Sequence, residues 1–155
     1  MCADSDSPPV TKVQILRLSH APEQLPGYAT AGAAGMDLRL AGESVTLESG
    51  ARALLPTGFS IAIPQGCEGQ IRLRSGFARD SGLILLNAPG TIDSDYRGEV
   101  KVLIMNPGRA AVTISSGERF AQLVIAPVMR CQWEEVERLP DSSRSVGGFG
   151  STGKA

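Results

Sequence analysis

Asn87-Ala88-Pro89-Gly90-Thr91-Ile92-Asp93-Ser94-Asp95-Tyr96-Arg97-Gly98 is the stretch around which the fold can be read. An apolar run, Leu83-Ile84-Leu85-Leu86, enters it, and an alternating run, Glu99-Val100-Lys101-Val102-Leu103-Ile104, leaves it. Pro, Gly and Asp between two such runs predict two strands joined by a polar turn. Chemically the turn is dense: two carboxylates, an aromatic and an arginine fall between Asp93 and Arg97. A solvated hairpin tip would explain the charges. It would not explain Ile92, a core-type residue, beside Asp93, or a tyrosine kept among acids. The other reading is a functional loop held on a rigid scaffold.

Working outward, strand-like runs recur at residues 11–18, 36–40, 44–47, 51–55, 59–63, 69–74, 111–114, 120–125 and 129–136. Turn formers separate them, as in Glu48-Ser49-Gly50, Pro64-Gln65-Gly66, Asn106-Pro107-Gly108 and Ser115-Ser116-Gly117. Met36-Asp37-Leu38-Arg39-Leu40 alternates strictly, which puts Asp37 and Arg39 on one face. Only residues 75–81 have helical character. Many short strands with a turn every ten residues or so predict an all-β barrel or sandwich with one short helix. Residues 1–9 read as a disordered leader, 10–140 as the β domain, and 141–155 as a Ser/Gly-rich tail whose plainest role is a flexible linker. Gly148-Phe149-Gly150-Ser151-Thr152-Gly153-Lys154 nearly spells a phosphate-binding P-loop, but Ala155 stands where that motif requires Ser or Thr.

The bulk numbers exclude several function classes. A length of 155 residues suits one domain with a real core. A net charge of −1 gives no electrostatic case for nucleic acid or a membrane surface, so a polyanionic ligand must find its positive partners locally. Cys2, Cys67 and Cys131 are scattered and make no metal-ligand spacing, which predicts reduced thiols. No signal-peptide pattern or membrane-length apolar run is present, so a cytoplasmic or nuclear protein is expected rather than a secreted one. His20 is the single histidine; it removes histidine-rich zinc chemistry and leaves no serine-histidine triad motif, and a surface loop is its expected place.

The central stretch resembles the third motif of the trimeric deoxyuridine triphosphatases (dUTPases). The other motifs follow in order: Ala34-Gly35-Met36-Asp37-Leu38, Arg74-Ser75-Gly76-Phe77-Ala78, Gly117-Glu118-Arg119-Phe120-Ala121-Gln122-Leu123, and Arg144-Ser145-Val146-Gly147-Gly148-Phe149-Gly150-Ser151-Thr152-Gly153. The resemblance covers residues 13–153. It implies a jelly-roll-like β-barrel, a homotrimer with an exchanged flexible tail, and hydrolysis of dUTP to dUMP and pyrophosphate, which limits uracil in DNA and supplies dUMP for thymidylate synthesis.

The resemblance also implies roles. Asp93 would be the base that activates water for in-line attack at the α-phosphorus, with Asp95 supporting. Asn87, Gly90, Thr91 and Ile92 would present amide and backbone groups to uracil. A carbonyl facing N3–H suits uracil and leaves cytosine mispaired. Tyr96 would lie beneath the deoxyribose and exclude a 2′-hydroxyl. Arg74, Ser75, Gly76 and Gln122 would bind phosphates. Arg144, Phe149, Gly150, Ser151 and Thr152 would close over the nucleotide, Phe149 stacking on the base and Arg144 pairing with the γ-phosphate. Mg²⁺ would ride on the phosphates, reached by Asp37 through water. Two departures stand out: Phe77 where leucine is usual, and Arg79-Asp80-Ser81-Gly82-Leu83 in place of a basic or histidine-glycine-isoleucine pattern. A dCTP deaminase of the same fold, or a non-catalytic nucleotide-binding trimer, are the alternatives.

Overall fold

A computed structural model describes residues 10–147. The expected leader at residues 1–9 lies outside the described residues. The chain runs β1 (Gln14–Arg17), β2 (Gly27–Tyr28), β3 (Met36–Arg39), β4 (Val45–Leu47), β5 (Arg52–Ala62), β6 (Cys67–Leu73), α1 (Ser75–Ser81), β7 (Ile84–Leu85), β8 (Gly90–Ile92), β9 (Glu99–Met105), β10 (Val112–Ile114) and β11 (Arg119–Pro127). All pairings are antiparallel. One sheet has the order β1-β5-β9-β7, a second β2-β3-β11-β6-β8, and β10-β4 forms a two-stranded third. The fold is all-β and jelly-roll-like, with the predicted helix at its predicted place.

Period-two alternation builds the core. In β9, Val100, Val102 and Ile104 point inward and are at most 2% exposed. Phe120 and Leu123 of β11, Leu38 of β3, Leu55 and Ile61 of β5 and Ile71 of β6 meet them in one apolar cluster. These side chains fix the registers, since a one-residue slip would turn each strand's apolar face outward.

Three expectations need correction. The runs at 51–55 and 59–63 are one strand, β5, with its register against β9 shifting between Pro56 and Ser60. Pro56-Thr57-Gly58 reads locally as a break, and the sheet absorbs it as a bulge. Residues 87–98 are not a simple hairpin tip. β7 and β9 do pair, with Ile84 opposite Met105 and Leu85 opposite Ile104, but the chain between them crosses to the other sheet and adds β8 to its edge. The alternating run at 129–136 is not a strand; it is exposed throughout, and among the described residues no strand pairs with it. The short β2 and β8 lie in stretches whose composition reads as loop.

Candidate active site

Residues 87–98 are held at both ends by sheet registers. At the β8 end, Gly90, Thr91 and Ile92 pair with Ile71, Gln70 and Gly69. Ile92 is buried over Gly69, where a Cβ would come within 3.2 Å of the Ile92 Cβ and 2.9 Å of the Ile63 Cδ1. The missing side chain at Gly69 therefore lets Ile92 seat and anchors the residue next to it, Asp93. Gly90 is buried as well. A Cβ there would stand 3.2 Å from both Asn87 Nδ2 and Ile71 Cβ, so the Asn87 amide lies folded against the β8 backbone. Thr91 faces solvent, as alternation requires.

Beyond Ile92 the chain turns. Tyr96 N–H donates to Asp93 O at 3.1 Å, and the Arg97 guanidinium donates to Ser94 O and Tyr96 O, each at 2.7 Å. Asp93 and Asp95 are exposed. Tyr96 is 45% exposed, which rules out a core aromatic in this chain. Its hydroxyl donates to Glu99 O at 3.0 Å. Its ring lies across Gly98, where a Cβ would fall 2.3 Å from the hydroxyl oxygen and 2.6 Å from Cζ. Thr91, Ile92, Asp93, Tyr96 and Glu99 line a cleft of about 210 Å³. Asp93 also lines a second cleft of about 550 Å³, with Asp95, Glu68 and Cys67. It thus stands on the wall between two open spaces.

His20 is exposed, as expected of a loop, but it is not idle: its Nε2 lies 2.8 Å from Glu99 Oε1. Burial pushes the Glu99 carboxyl up. The hydrogen bond with His20, the Gly58 N–H and the charges of His20 and Lys101 outweigh this and hold it below its ordinary range.

The second group of predicted residues gathers elsewhere. Arg74 is the extended residue before α1, with φ −69° and ψ 136°. Its Nε lies 2.9 Å from Asp37 Oδ1, and Arg119 Nη1 donates to Asp37 Oδ2 at 3.0 Å. Arg74 Nη1 also donates to Arg119 O at 3.1 Å. One carboxylate thus orders two guanidinium groups at the mouth of a cleft of about 450 Å³ that Gly76 also lines. Gln122 sits in register with Asp37 on one side and Arg72 on the other. Its amide occupies the room left by Gly35, where a Cβ would fall 2.2 Å from Gln122 Oε1. Ser75 and Gly76 are exposed on the first turn of α1.

The two departures from family pattern contribute Phe77, Asp80 and Ser81 to the wall of this cleft and leave its local geometry regular. Phe77 meets buried Phe120 edge-to-face, with centroids 6.1 Å apart at 70°. Ser81 Oγ donates to Phe77 O at 2.7 Å and accepts from Leu83 N–H at 3.2 Å, and Gly82 closes the helix at φ 68°. Arg79 and Asp80 pair at 2.7 Å in open solvent. Their hydrogen bond lowers the Asp80 carboxyl and raises the Arg79 guanidinium from their ordinary values. Such exposed pairs add little stability.

Within one chain the two groups do not meet: the cleft at Asp93 and Tyr96 and the cleft at Arg74 and Arg119 share no lining residue. Arg144 sits in a turn of its own, its Nε donating to Gly147 O at 2.8 Å. Phe149, Gly150, Ser151 and Thr152 lie outside the described residues. Sequence reasoning passed over Arg119, His20 and Glu99. Arg119 belongs to the motif at residues 117–123, but only the bulged register of β11 against β3, shifting between Arg119 and Ala121, reveals its place beside Asp37. No local pattern links His20 to Glu99, which are 79 positions apart.

Comparison with known proteins gives the family. The dUTPase family model matches residues 21–153. A deoxyuridine 5′-triphosphate nucleotidohydrolase of Bdellovibrio bacteriovorus is 54% identical over 145 residues, covering 92% of this chain and 97% of the relative. One from Anaeromyxobacter is 55% identical over 147 residues, covering 94% and 99%. Among solved structures, the Staphylococcus bacteriophage 80alpha dUTPase with dUPNHPP superposes with a TM-score of 0.85 at 27% identity, covering 94% of this chain and all of that one. A mutant dUTPase of Staphylococcus aureus phage phi11, solved to reveal the coordination of a structural Mg(II) ion, shares the fold at a TM-score of 0.74, 24% identity and 83% coverage of this chain. A family match that spans both clefts, with relatives alike over nearly their whole length, gives one conclusion: the chain belongs to the dUTPase family.

Proposed function

We propose that Asp93 activates the water with which this dUTP diphosphatase cleaves dUTP into dUMP and pyrophosphate. One observation carries the assignment: an exposed carboxylate fixed beside a buried anchor, Ile92, and sharing a cleft with Tyr96. Neutral water is a weak nucleophile, and a positioned carboxylate that takes its proton contributes typically 10²–10⁴-fold. The water oxygen bonds to the α-phosphorus as the bridge to the β-phosphate breaks, and pyrophosphate leaves with that electron pair. Asn87 and the backbone of Gly90, Thr91 and Ile92 hold the base, and Tyr96 bounds the sugar. Arg74, Ser75, Gly76 and Gln122 neutralise and orient the phosphates, with Arg119 as a further cation beside Arg74. Arg144, Phe149, Gly150, Ser151 and Thr152 close the site and exclude other water.

We further propose a homotrimer. The separation of the two clefts within one chain supports a shared site, in which one copy would bring its Asp93 and Tyr96 to the Arg74 and Asp37 of another and the tail would reach a site on a neighbouring copy.

Magnesium fits this site in a restricted way. Among the described residues no three His, Cys, Asp or Glu side chains converge on a metal position. Asp37 already accepts a guanidinium on each oxygen, but a carboxylate offers about four lone-pair sites, so it can still take the hydrogen of a metal-bound water. The donor set thus suits an ion carried by the polyphosphate and touched by Asp37 through water. Such an ion would screen phosphate charge and gather the three phosphates into one conformation.

The test is pyrophosphate release from dUTP alongside ammonia release from dCTP. Pyrophosphate alone is expected; ammonia would make the protein a deaminase, and binding without either product a nucleotide-binding trimer. Excess chelator should cut pyrophosphate release at least tenfold or so, and Mg²⁺ should restore it. Full activity in chelator would remove the metal and the role of Asp37 together.

A further inference from the structure

Behind the turn that carries Asp93 and Tyr96 lies a polar assembly that none of the family-like motifs explains. The β5 bulge would leave ladder groups unpaired, and side chains take them up. Thr57, fully buried, donates its hydroxyl to Val100 O at 2.6 Å. Gly58 N–H donates to Glu99 Oε1 at 2.8 Å, and His20 Nε2 lies 2.8 Å from the same oxygen. Lys101 Nζ is 3.5 Å from the other carboxylate oxygen, and the Glu99 side chain is only 11% exposed. His20 reaches this point on a turn docked against the bulge: Leu18 N–H donates to Gly58 O at 2.9 Å, and Ala21 N–H to Leu18 O at 3.1 Å. Gly58 has φ +77°, and a Cβ there would stand 2.3 Å from Ala21 Cα, so both the conformation and the room require glycine.

Glu99 faces two ways. Its carboxylate is gripped by His20 and Gly58, while its carbonyl receives the Tyr96 hydroxyl. Tyr96 is otherwise half exposed, so packing alone does not set the angle of its ring. We propose that His20 and Glu99 are positioning residues for the sugar side of the site: the clamp on the Glu99 carboxylate fixes the carbonyl that holds the Tyr96 ring across Gly98. A ring free to swing would yield to a 2′-hydroxyl, whereas a fixed ring rejects it. The inference deepens the reading of Tyr96 given above and rests on it, but the two can fail separately.

The experiment compares full-length wild type, Tyr96→Ala, His20→Ala, Glu99→Ala and Glu99→Gln, with kcat and KM measured for dUTP and UTP. His20→Ala and Glu99→Ala should each lower the dUTP-over-UTP ratio of kcat/KM about tenfold, mainly through a gain with UTP. Glu99→Gln keeps an acceptor oxygen for Gly58 and His20 and should restore most of the ratio. A second readout needs no turnover. The chain has only Tyr28 and Tyr96, so in a Tyr28→Phe background isotope-labelled tyrosine reports on Tyr96 alone. Its ring resonances should shift or broaden in the nucleotide-free His20→Ala protein. If Tyr96→Ala loses the ratio while His20→Ala and Glu99→Ala stay within about twofold of wild type and the ring signal is unmoved, the clamp is overturned and the role of Tyr96 stands. If Tyr96→Ala keeps the ratio, both fall. Should Glu99→Ala fail to fold, His20→Ala decides the matter, because that side chain is 41% exposed and its removal leaves no core cavity.

Discussion

Residues 87–98 and residues 128–147 are alike in composition and opposite in structure. Each is irregular in large part, each contains Pro, Gly, Ser and charge, and each carries aromatic or apolar side chains. In the first, Gly90 and Ile92 are buried, three β8 residues pair with β6, and the turn is stapled by Arg97 and Tyr96. In the second, Met129 is 97% exposed, Trp133 90% and Leu139 77%, and the local contacts are turns and one exposed Arg138–Asp141 pair. Anchoring rather than composition separates a loop that can hold a reacting group still from a segment that must borrow its partners. The apolar side chains displayed after Pro127 are what a segment of the second kind needs if it is to lie on another copy.

The sharpest way to break this comparison is to remove the anchor. Ile92→Ala should destabilise the folded protein by about 3 kcal/mol, within the range for a buried isoleucine, and thermal melting would read it. Val146→Ala, fully exposed in the other region, should cost under about 0.5 kcal/mol; equal losses would erase the distinction. Next in size, Asp93→Asn should reduce kcat at least about 100-fold with dUTP binding and melting temperature kept, since the change removes the base and none of the packing. Turnover within tenfold or so of wild type would move the base elsewhere, Asp95 first. Deleting residues 141–155 should lower dUTP hydrolysis some tens-fold while leaving ligand-free melting unchanged, as the exposed Arg138–Asp141 pair is the one polar side-chain contact described between the deleted segment and the rest of the chain. Near-wild-type turnover would make the tail a plain linker.

The smallest expected effect lies at the back of the first region. Glu99 titrates below its ordinary value in the folded chain. Its contribution to stability is therefore present above the carboxylate's unfolded pKa and lost as pH falls through the folded one. The acid-side decline in melting temperature should flatten in Glu99→Gln, and an unchanged slope would mean that the carboxylate gains nothing from its clamp.

Much of this was legible in the sequence, for a physical reason. Strands such as Glu99–Met105 show their burial as alternation, and the helix Ser75–Ser81 ends on a glycine that takes φ 68°. Asp93, Tyr96, Arg74 and Asp37 could be singled out because they fall in compact motifs that resemble those of the dUTPases. What stayed hidden depends on register or on distance along the chain. Pro56-Thr57-Gly58 looks like a break, and only the β9 strand beside it shows it to be a bulge. β8 spans three residues, too few to show a period, and it is a strand only because β6 offers an edge. The run at 129–136 has a strand's pattern but no pairing strand among the described residues. Arg119 meets Asp37 across 82 positions, a contact no window of sequence contains.

The stretch from Ile92 to Glu99 has one more property, and it concerns length. Ile92 is tied opposite Gly69 in one sheet and Glu99 opposite Ser60 in the other, so both ends of the span are bolted to separate walls. A residue inserted between them cannot be taken up by sliding either strand, since each slip would turn an apolar face to water. The added backbone would have to bulge outward, carrying Asp93 away from its place. The loops at Glu48-Ser49-Gly50 and Asn106-Pro107-Gly108 hold each other, Gly50 N–H donating to Asn106 O and Ser49 Oγ to Gly108 O, each at 2.8 Å, and neither lines the clefts at Asp93 or Arg74. Here, by contrast, selection would act on the number of residues as strictly as on their identity.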